Sequence, residues 1–317
     1  MLQVGSGGTA LSSASAFVPE SGSGRAFASV FVTAPDGLKL HVRAYGPRLA
    51  GALPLVCLPA LAHTAADFHL LAAALSANSA EPRRVFALDY RGHGRSEYDR
   101  NPDNYTLPVD LADLAAVLTA LELAPAILLG ASHGGLLAMR LAATRPTAIA
   151  GVILNDIGPV IEPRGLLRIK GYLGKLPAPR SFTEGAEILR RVFGAQFPKL
   201  ALPDWIAFAQ CTWREQDGRF VPDYDVRLAE ALKGANLERR VALWEQFEAL
   251  ARVPLMIIRG ANSDMLSSAT LDAMLARRAA LDVAVVADQG HPPLLTEPHL
   301  IRRIAAFVAS CDAAVPR

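Results

Sequence analysis

From residue 27 onward the apolar positions of the chain follow two rhythms. Residues 27–33 and 38–45 are short strand patterns, and Pro35-Asp36-Gly37 between them has turn chemistry, which predicts a hairpin. Short apolar runs at 54–58, 85–88, 126–129 and 149–154 then alternate with helical spacing at 65–77, 108–121 and 136–143. In 108–121 the inward face carries Leu111, Leu114, Val117, Leu118 and Leu121, and Asp110 and Asp113 fall outside it. Strands alternating with helices predict βαβ units and a parallel sheet, and right-handed crossovers put helices on both faces.

The alternation stops at Gly158-Pro159. From 160 to 250 the pattern is mostly helical, with proline and glycine breaks. It resumes with an apolar run at 254–258, a helix over 267–278, a strand at 283–287 and a last helix over 297–310. The expected fold class is therefore α/β: a core of 27–159 and 251–317 interrupted by a helical insertion, 160–250. The first 26 residues are rich in Gly, Ser and Ala, without a basic start or a long apolar stretch. They read as a disordered tail, or as the product of a misplaced start codon, rather than as a secretory signal.

Composition narrows the function classes. The chain has 317 residues, 51% hydrophobic and 20% charged, enough apolar material for a sizeable core. The net charge of +2 and the isolated pairs Arg190-Arg191, Arg239-Arg240 and Arg302-Arg303 offer no nucleic-acid surface. No apolar run reaches the ~20 residues of a membrane span. Cys57, Cys211 and Cys311 are far apart, without metal-ligand spacing, so reduced thiols in a cytoplasmic setting are expected, with Cys57 a small apolar residue in a buried strand.

Chemistry enters at Gly130-Ala131-Ser132-His133-Gly134-Gly135. An apolar run ends just before this G-x-S-x-G and a helical pattern follows it, the strand–turn–helix context of a nucleophile elbow. A tight turn there would lift the Ser132 hydroxyl above the strand ends, and Gly130 and Gly134 would avoid collisions. A serine hydroxyl needs a base. His41 lies in an early strand, His69 and His299 lie on predicted helices, and the His133 ring should point away along its helix. His63 follows the run at 54–58, where it would line a pocket. His291 stands after the last strand and before the last helix, where the chain order Ser…Asp…His places the base. The carboxylate orienting His291 is expected at Asp264, in the loop after the penultimate strand; Asp156, which also follows a strand, is its rival. Asp282 starts a strand and points nowhere useful.

The stretches "LPALAHTAADF", "ALDYRGHGRS", "GASHGG", "LNDIGP", "IIRGANSD" and "GHPP" together resemble α/β-hydrolase-fold enzymes with a helical cap, over nearly the whole chain from residue 27. The resemblance implies an oxyanion hole built from two backbone N–H groups, that of His133 after the nucleophile and that of Leu61. Relatives often read His-Gly-x where this chain has Pro59-Ala60-Leu61. Pro59 has no N–H, and Ala60 replaces a glycine that commonly takes positive φ, where alanine would be strained. "DYRGHGRS" reads as a turn anchored by Asp89 and Arg91, with His93 inside it.

The leading expectation is a serine hydrolase of small, mainly apolar carboxylic esters or lactones, using Ser132, His291 and Asp264, with no cofactor and no metal. The same triad on this fold also serves C–C bond and amide hydrolysis, perhydrolysis and cofactor-free lyase or oxygenase chemistry, and a slow-turnover ligand-binding receptor is a separate class. Serine at the nucleophile position disfavours dehalogenase and epoxide hydrolase activity, for which relatives use aspartate. Trp205, Trp213 and Trp244 lie in the insertion with Phe182, Phe193, Phe197, Phe208, Phe220 and Phe247, and at least one aromatic is expected to face the pocket. No basic cluster is reserved for a phosphate or coenzyme A tail, although Arg164, Arg168 and Lys170 stand near the insertion's start.

Overall fold

The computed structural model describes residues 15–18, 27–48, 51–77, 82–232 and 241–314. Strands β1 (Ser15–Val18), β2 (Ala28–Thr33) and β3 (Lys39–Tyr45) are antiparallel neighbours, and β3 pairs antiparallel with β5 (Val85–Leu88). β4 (Leu55–Leu58), β5, β6 (Ala126–Ala131), β7 (Ile149–Asn155), β12 (Leu255–Gly260) and β13 (Asp282–Val286) run parallel. The nine-stranded order is β1-β2-β3-β5-β4-β6-β7-β12-β13. Of the tail expected over 1–26, Ser15–Val18 is instead a strand on the sheet edge, and the rest lies outside the described residues.

The period of two in the parallel strands sorts side chains between two cores. Val56, Leu58, Leu128, Val152 and Leu154 face α2 (Leu107–Ala120), α3 (His133–Thr144) and α8 (Ser268–Arg277). Leu55, Cys57, Ile127, Leu129 and Ile153 face α1 (His69–Ser76) and α9 (Pro298–Ala314). Both faces are thus covered, which is why these strands read as continuous apolar runs rather than alternating ones. None of the described helices is long and apolar enough to cross a membrane.

Asp110 and Asp113 depart from the expected solvent face of α2, being 7% and 1% exposed. Each is buried because it has a partner. Asp113 receives Arg91 Nε and Nη2 at 2.7 and 2.8 Å, and Asp110 Oδ2 lies 2.8 Å from His133 Nε2. Arg91 also reaches Asp36 and Asp99, so the turn after β5 is anchored as its sequence suggested.

The segment between β7 and β12 holds α4 (Pro163–Tyr172), α5 (Phe182–Phe193), α6 (Leu202–Thr212) and α7 (Trp244–Glu248). It is less purely helical than its pattern suggests. A hairpin joins β9 (Trp213–Gln216) to β10 (Arg219–Pro222), and β8 (Val160–Ile161) pairs with β11 (Val241–Ala242). α5 and α6 share their own core, in which Trp205 and Trp213 are fully buried with Leu189 and Phe197.

Candidate active site

β6 ends at Ala131 and α3 begins at His133, leaving Ser132 alone between strand and helix. Its backbone is forced to φ 47° and ψ −109°, a conformation a non-glycine residue keeps only when its surroundings hold it there. They do: the Ser132 N–H donates to the Asn155 carbonyl, and the Gly135 and Leu136 N–H groups donate to its own carbonyl. The flanking glycines are steric requirements. A Cβ on Gly134 would come 2.2 Å from the Leu58 carbonyl oxygen, and one on Gly130 would come 2.4 Å from Gly134 backbone.

His291 sits in the loop between β13 and α9, with its backbone N–H on Gln196 Oε1. Its Nε2 lies 2.8 Å from Ser132 Oγ and its Nδ1 2.8 Å from Asp156 Oδ2. Asp156, fully buried just after β7, also accepts the Gly260 N–H at 2.8 Å on Oδ1 and the Ser263 hydroxyl at 2.5 Å on Oδ2. A carboxylate taking these donors is an acceptor, so the proton between it and the ring belongs on Nδ1. Nε2 is then free to accept the Ser132 proton.

Asp264, the expected acid, is placed elsewhere. Its carboxylate is held 2.7 and 3.0 Å from Nε and Nη2 of Arg168 on α4. Burial would raise the Asp264 carboxyl, but the guanidinium outweighs it and holds the group below its ordinary value. The cause lies in the loop after β12. Ser263 turns inward, donating to Asp156 while accepting the Met265 and Leu266 N–H groups, and its neighbour Asp264 pairs with the inserted segment instead. Arg168, considered for a phosphate or coenzyme A tail, is committed to this pair.

The loop after β4 carries the other expected donors. The Pro59 carbonyl accepts both Tyr90 Oη and the Gly134 N–H. Neither the Leu61 nor the His133 N–H is given to another backbone acceptor among the described residues. The strain expected at Ala60 stands two residues later: Ala62 has φ 64°, and Ala60 is not among the positive-φ residues. The Ala62 N–H donates to His93 Nε2, whose Nδ1 lies 2.9 Å from the Arg91 carbonyl, so His93 is a neutral ring buttressing this loop. Ala62→Gly should relieve the left-handed penalty, partly offset by the entropy of glycine. An unfolding free energy equal to wild type, or higher by up to ~1 kcal/mol at unchanged denaturant slope, is expected.

A cavity of about 350 Å³ borders Ala60 and three immediate neighbours of Ser132: His291, Ala131 and Asn155. Its far wall is aromatic: Tyr172, Phe193, Phe197 and Phe208 from the inserted segment. Phe182 and Phe220 instead pair with each other, and Trp244 packs under Arg277. His63 lines the cavity, as its position after β4 suggested, and so does His69. His41 is buried against Asp89, and His299 is exposed beside Glu297. Among the described residues no cluster of His, Cys, Asp and Glu could hold a metal ion.

Comparison with known proteins identifies the family. Residues 55–304 match the family model described as the alpha/beta hydrolase family. The 3-hydroxybutyrate-oligomer hydrolase of Cupriavidus necator is 31% identical over 77% of this chain and 84% of its own length. Esterase Rv0045c of Mycobacterium tuberculosis is 25% identical over 71% of this chain and 74% of its own. A solved alpha/beta hydrolase from Novosphingobium aromaticivorans superposes with a TM-score of 0.83 at 35% identity, covering 90% of this chain and 98% of that one. The chain belongs to the alpha/beta hydrolase family.

Proposed function

We propose that the protein is a serine hydrolase of small, mainly apolar carboxylic esters or lactones, working through Ser132, His291 and Asp156. The observation that carries this reading is the continuous relay Ser132 Oγ–His291 Nε2 and His291 Nδ1–Asp156 Oδ2, each link 2.8 Å, beside a cavity walled by aromatic rings. The 31% identity to a hydrolase of 3-hydroxybutyrate oligomers and the likeness to an esterase support an ester substrate.

In this reading Ser132 Oγ attacks the ester carbonyl as His291 Nε2 takes its proton. The carbonyl oxygen becomes an oxyanion and receives the N–H groups of Leu61 and His133. His291 returns the proton to the leaving alkoxide, and the alcohol departs from the acyl-enzyme. Water then attacks the acyl carbon, giving up a proton to His291, and the acid leaves as Ser132 Oγ is reprotonated. Asp156 keeps the proton on Nδ1 and balances the imidazolium. The inserted segment acts as a cap that closes the acyl or alcohol site, and the Arg168–Asp264 pair ties α4 to the core.

A panel of p-nitrophenyl esters from acetate to laurate, with lactones and a C–C substrate alongside, tests the substrate class. Turnover of short esters with a covalent fluorophosphonate adduct on Ser132 is the expected result; an adduct elsewhere, or turnover of the C–C substrate alone, removes the reading. A burst of product followed by a stable adduct would favour the slow-turnover receptor. Leu61→Pro deletes one oxyanion donor and is expected to lower kcat by about 10²–10³-fold in a variant with a native circular-dichroism spectrum. Near-normal kcat in that folded variant would take Leu61 out of the mechanism.

A further inference from the structure

His291 is gripped from two directions. The core holds its loop on either side of it: the Gln289 carbonyl accepts the Asn262 N–H at 2.9 Å, and the Pro293 carbonyl accepts Asn155 Nδ2 at 3.1 Å. At His291 itself the backbone N–H crosses to the inserted segment, donating to Gln196 Oε1 at 3.2 Å across 95 residues of sequence. Gln196 stands in the turn that follows α5, with its own N–H on the Phe193 carbonyl at 2.8 Å.

Several features of the sequence serve this contact. Gln196 is buried. A Cβ on Gly290 would come 2.4 Å from Gln196 Cβ and 2.7 Å from its Oε1, so a side chain there would push the glutamine away. Gly290 is not among the positive-φ residues, so close approach, and not backbone angle, is what calls for glycine. Asn262 Nδ2 donates to the Gln196 carbonyl at 3.1 Å, fixing the turn from the loop after β12. Burial raises the Asp264 carboxyl, and Arg168 together with the Gln196 side chain outweighs it, so the glutamine amide is used at both ends. Lys199 pairs with Asp288 at 2.8 Å, but both are exposed and that link contributes little.

The position of this backbone matters to the chemistry. The His291 ring meets Ser132 Oγ on one side and Asp156 on the other, each at 2.8 Å, and proton transfer needs heavy atoms within roughly 2.6–3.2 Å. The ring therefore tolerates little movement of the chain that carries it. His291 is 5% exposed. Without Gln196 Oε1 its N–H becomes a buried donor lacking an acceptor, which the loop escapes by shifting toward water and taking the ring with it. The turn that supplies the acceptor also supplies Phe193 and Phe197 to the cavity wall.

We propose that Gln196 is a positioning residue for the reaction: by accepting the His291 backbone N–H it sets the height of the imidazole over Ser132. The inserted segment then completes the alignment of Ser132, His291 and Asp156 as well as covering the cavity. This rests on the reading of His291 as the base.

Gln196→Met tests it, since methionine keeps the length and the packing beside Gly290 while its thioether is too weak an acceptor to replace the amide oxygen. On p-nitrophenyl butyrate, kcat and kcat/KM should each fall about tenfold or more, with KM within about twofold of wild type. In a His291→Ala background the same substitution should cost less than about twofold, because no ring is left to position. A residue that merely supported the fold would lower turnover by the same factor in both backgrounds. Asn262→Ala, which releases the Gln196 carbonyl but leaves Oε1, should lower kcat in the same pattern by a smaller factor, and it decides the matter on the same criteria if Gln196→Met lacks a native circular-dichroism spectrum. Wild-type kcat in the folded variant overturns the proposal. So does a loss carried by KM, which would make Gln196 a support for the cavity wall, and so does a loss that persists undiminished without His291. Failure of the reading beneath it shows separately, as near-normal kcat in His291→Ala itself.

Discussion

Asp156→Asn is expected to lower kcat about 10⁴-fold on a p-nitrophenyl ester, while Asp264→Asn lowers it less than about tenfold. The difference follows from which groups each carboxylate serves. Asp156 Oδ1 must remain an acceptor for the Gly260 N–H, so an asparagine there keeps its oxygen on that side and turns its amide nitrogen toward the ring. An N–H facing His291 Nδ1 donates where the ring should donate. The imidazole then carries its proton on Nε2, facing Ser132 Oγ, and cannot take the serine proton. Asp264→Asn leaves the ring untouched and removes one charge beside Arg168, so its consequences are confined to how α4 is held. Steady-state kinetics on both variants, with circular dichroism to confirm folding, decide the matter. A larger loss in Asp264→Asn would return the acid to the loop after β12 and leave Asp156 a structural turn residue.

The choice between these two aspartates marks how far sequence reading reaches. Strand and helix periodicity located the parallel sheet and placed Ser132 between a strand and a helix, because each is a local pattern backed by packing on both sides of the sheet. His291 was expected from its place between the last strand and the last helix, and its ring lies 2.8 Å from Ser132 Oγ. The carboxylate that pairs with His291 did not follow, since Asp156 and Asp264 both stand just past strand ends and β7 and β12 are neighbours. What separates them is the inward turn of Ser263 and the presence of Arg168, 96 residues away from Asp264 in sequence. Long-range pairing of this sort leaves no periodic trace. Asp110 and Asp113 illustrate the same limit, since an acidic residue on a helix reads as solvated until its buried partner is found. The strain at Ala62 rather than Ala60 is a third case. Backbone angles in a loop depend on what the loop is tied to, here Tyr90 and His93 in a separate turn.

Ser132→Ala is expected to remove ester turnover by at least about 10³-fold and to abolish fluorophosphonate labelling, with a change in unfolding free energy of no more than ~1 kcal/mol. Ser132 is only 8% exposed, but among the described residues its one side-chain partner is His291 Nε2, so the structural loss is one hydrogen bond in a site that water can enter once the hydroxyl is gone. The strained backbone at φ 47° tolerates alanine no worse than serine, because the hydroxyl makes no recorded cap bond to the helix that follows. The decisive form of the experiment combines this substitution with Asp156→Asn. If Asp156 acts only by setting the His291 tautomer for the Ser132 proton, then removing Ser132 leaves Asp156 nothing to assist. The double variant should be no slower than Ser132→Ala alone, although the separate losses multiplied would predict a rate lower by roughly another 10⁴-fold. Residual turnover in both would then reflect water attack within the oxyanion site. A further large loss in the double variant would mean that Asp156 and His291 activate something other than the serine hydroxyl, and the acyl-enzyme route would have to be given up.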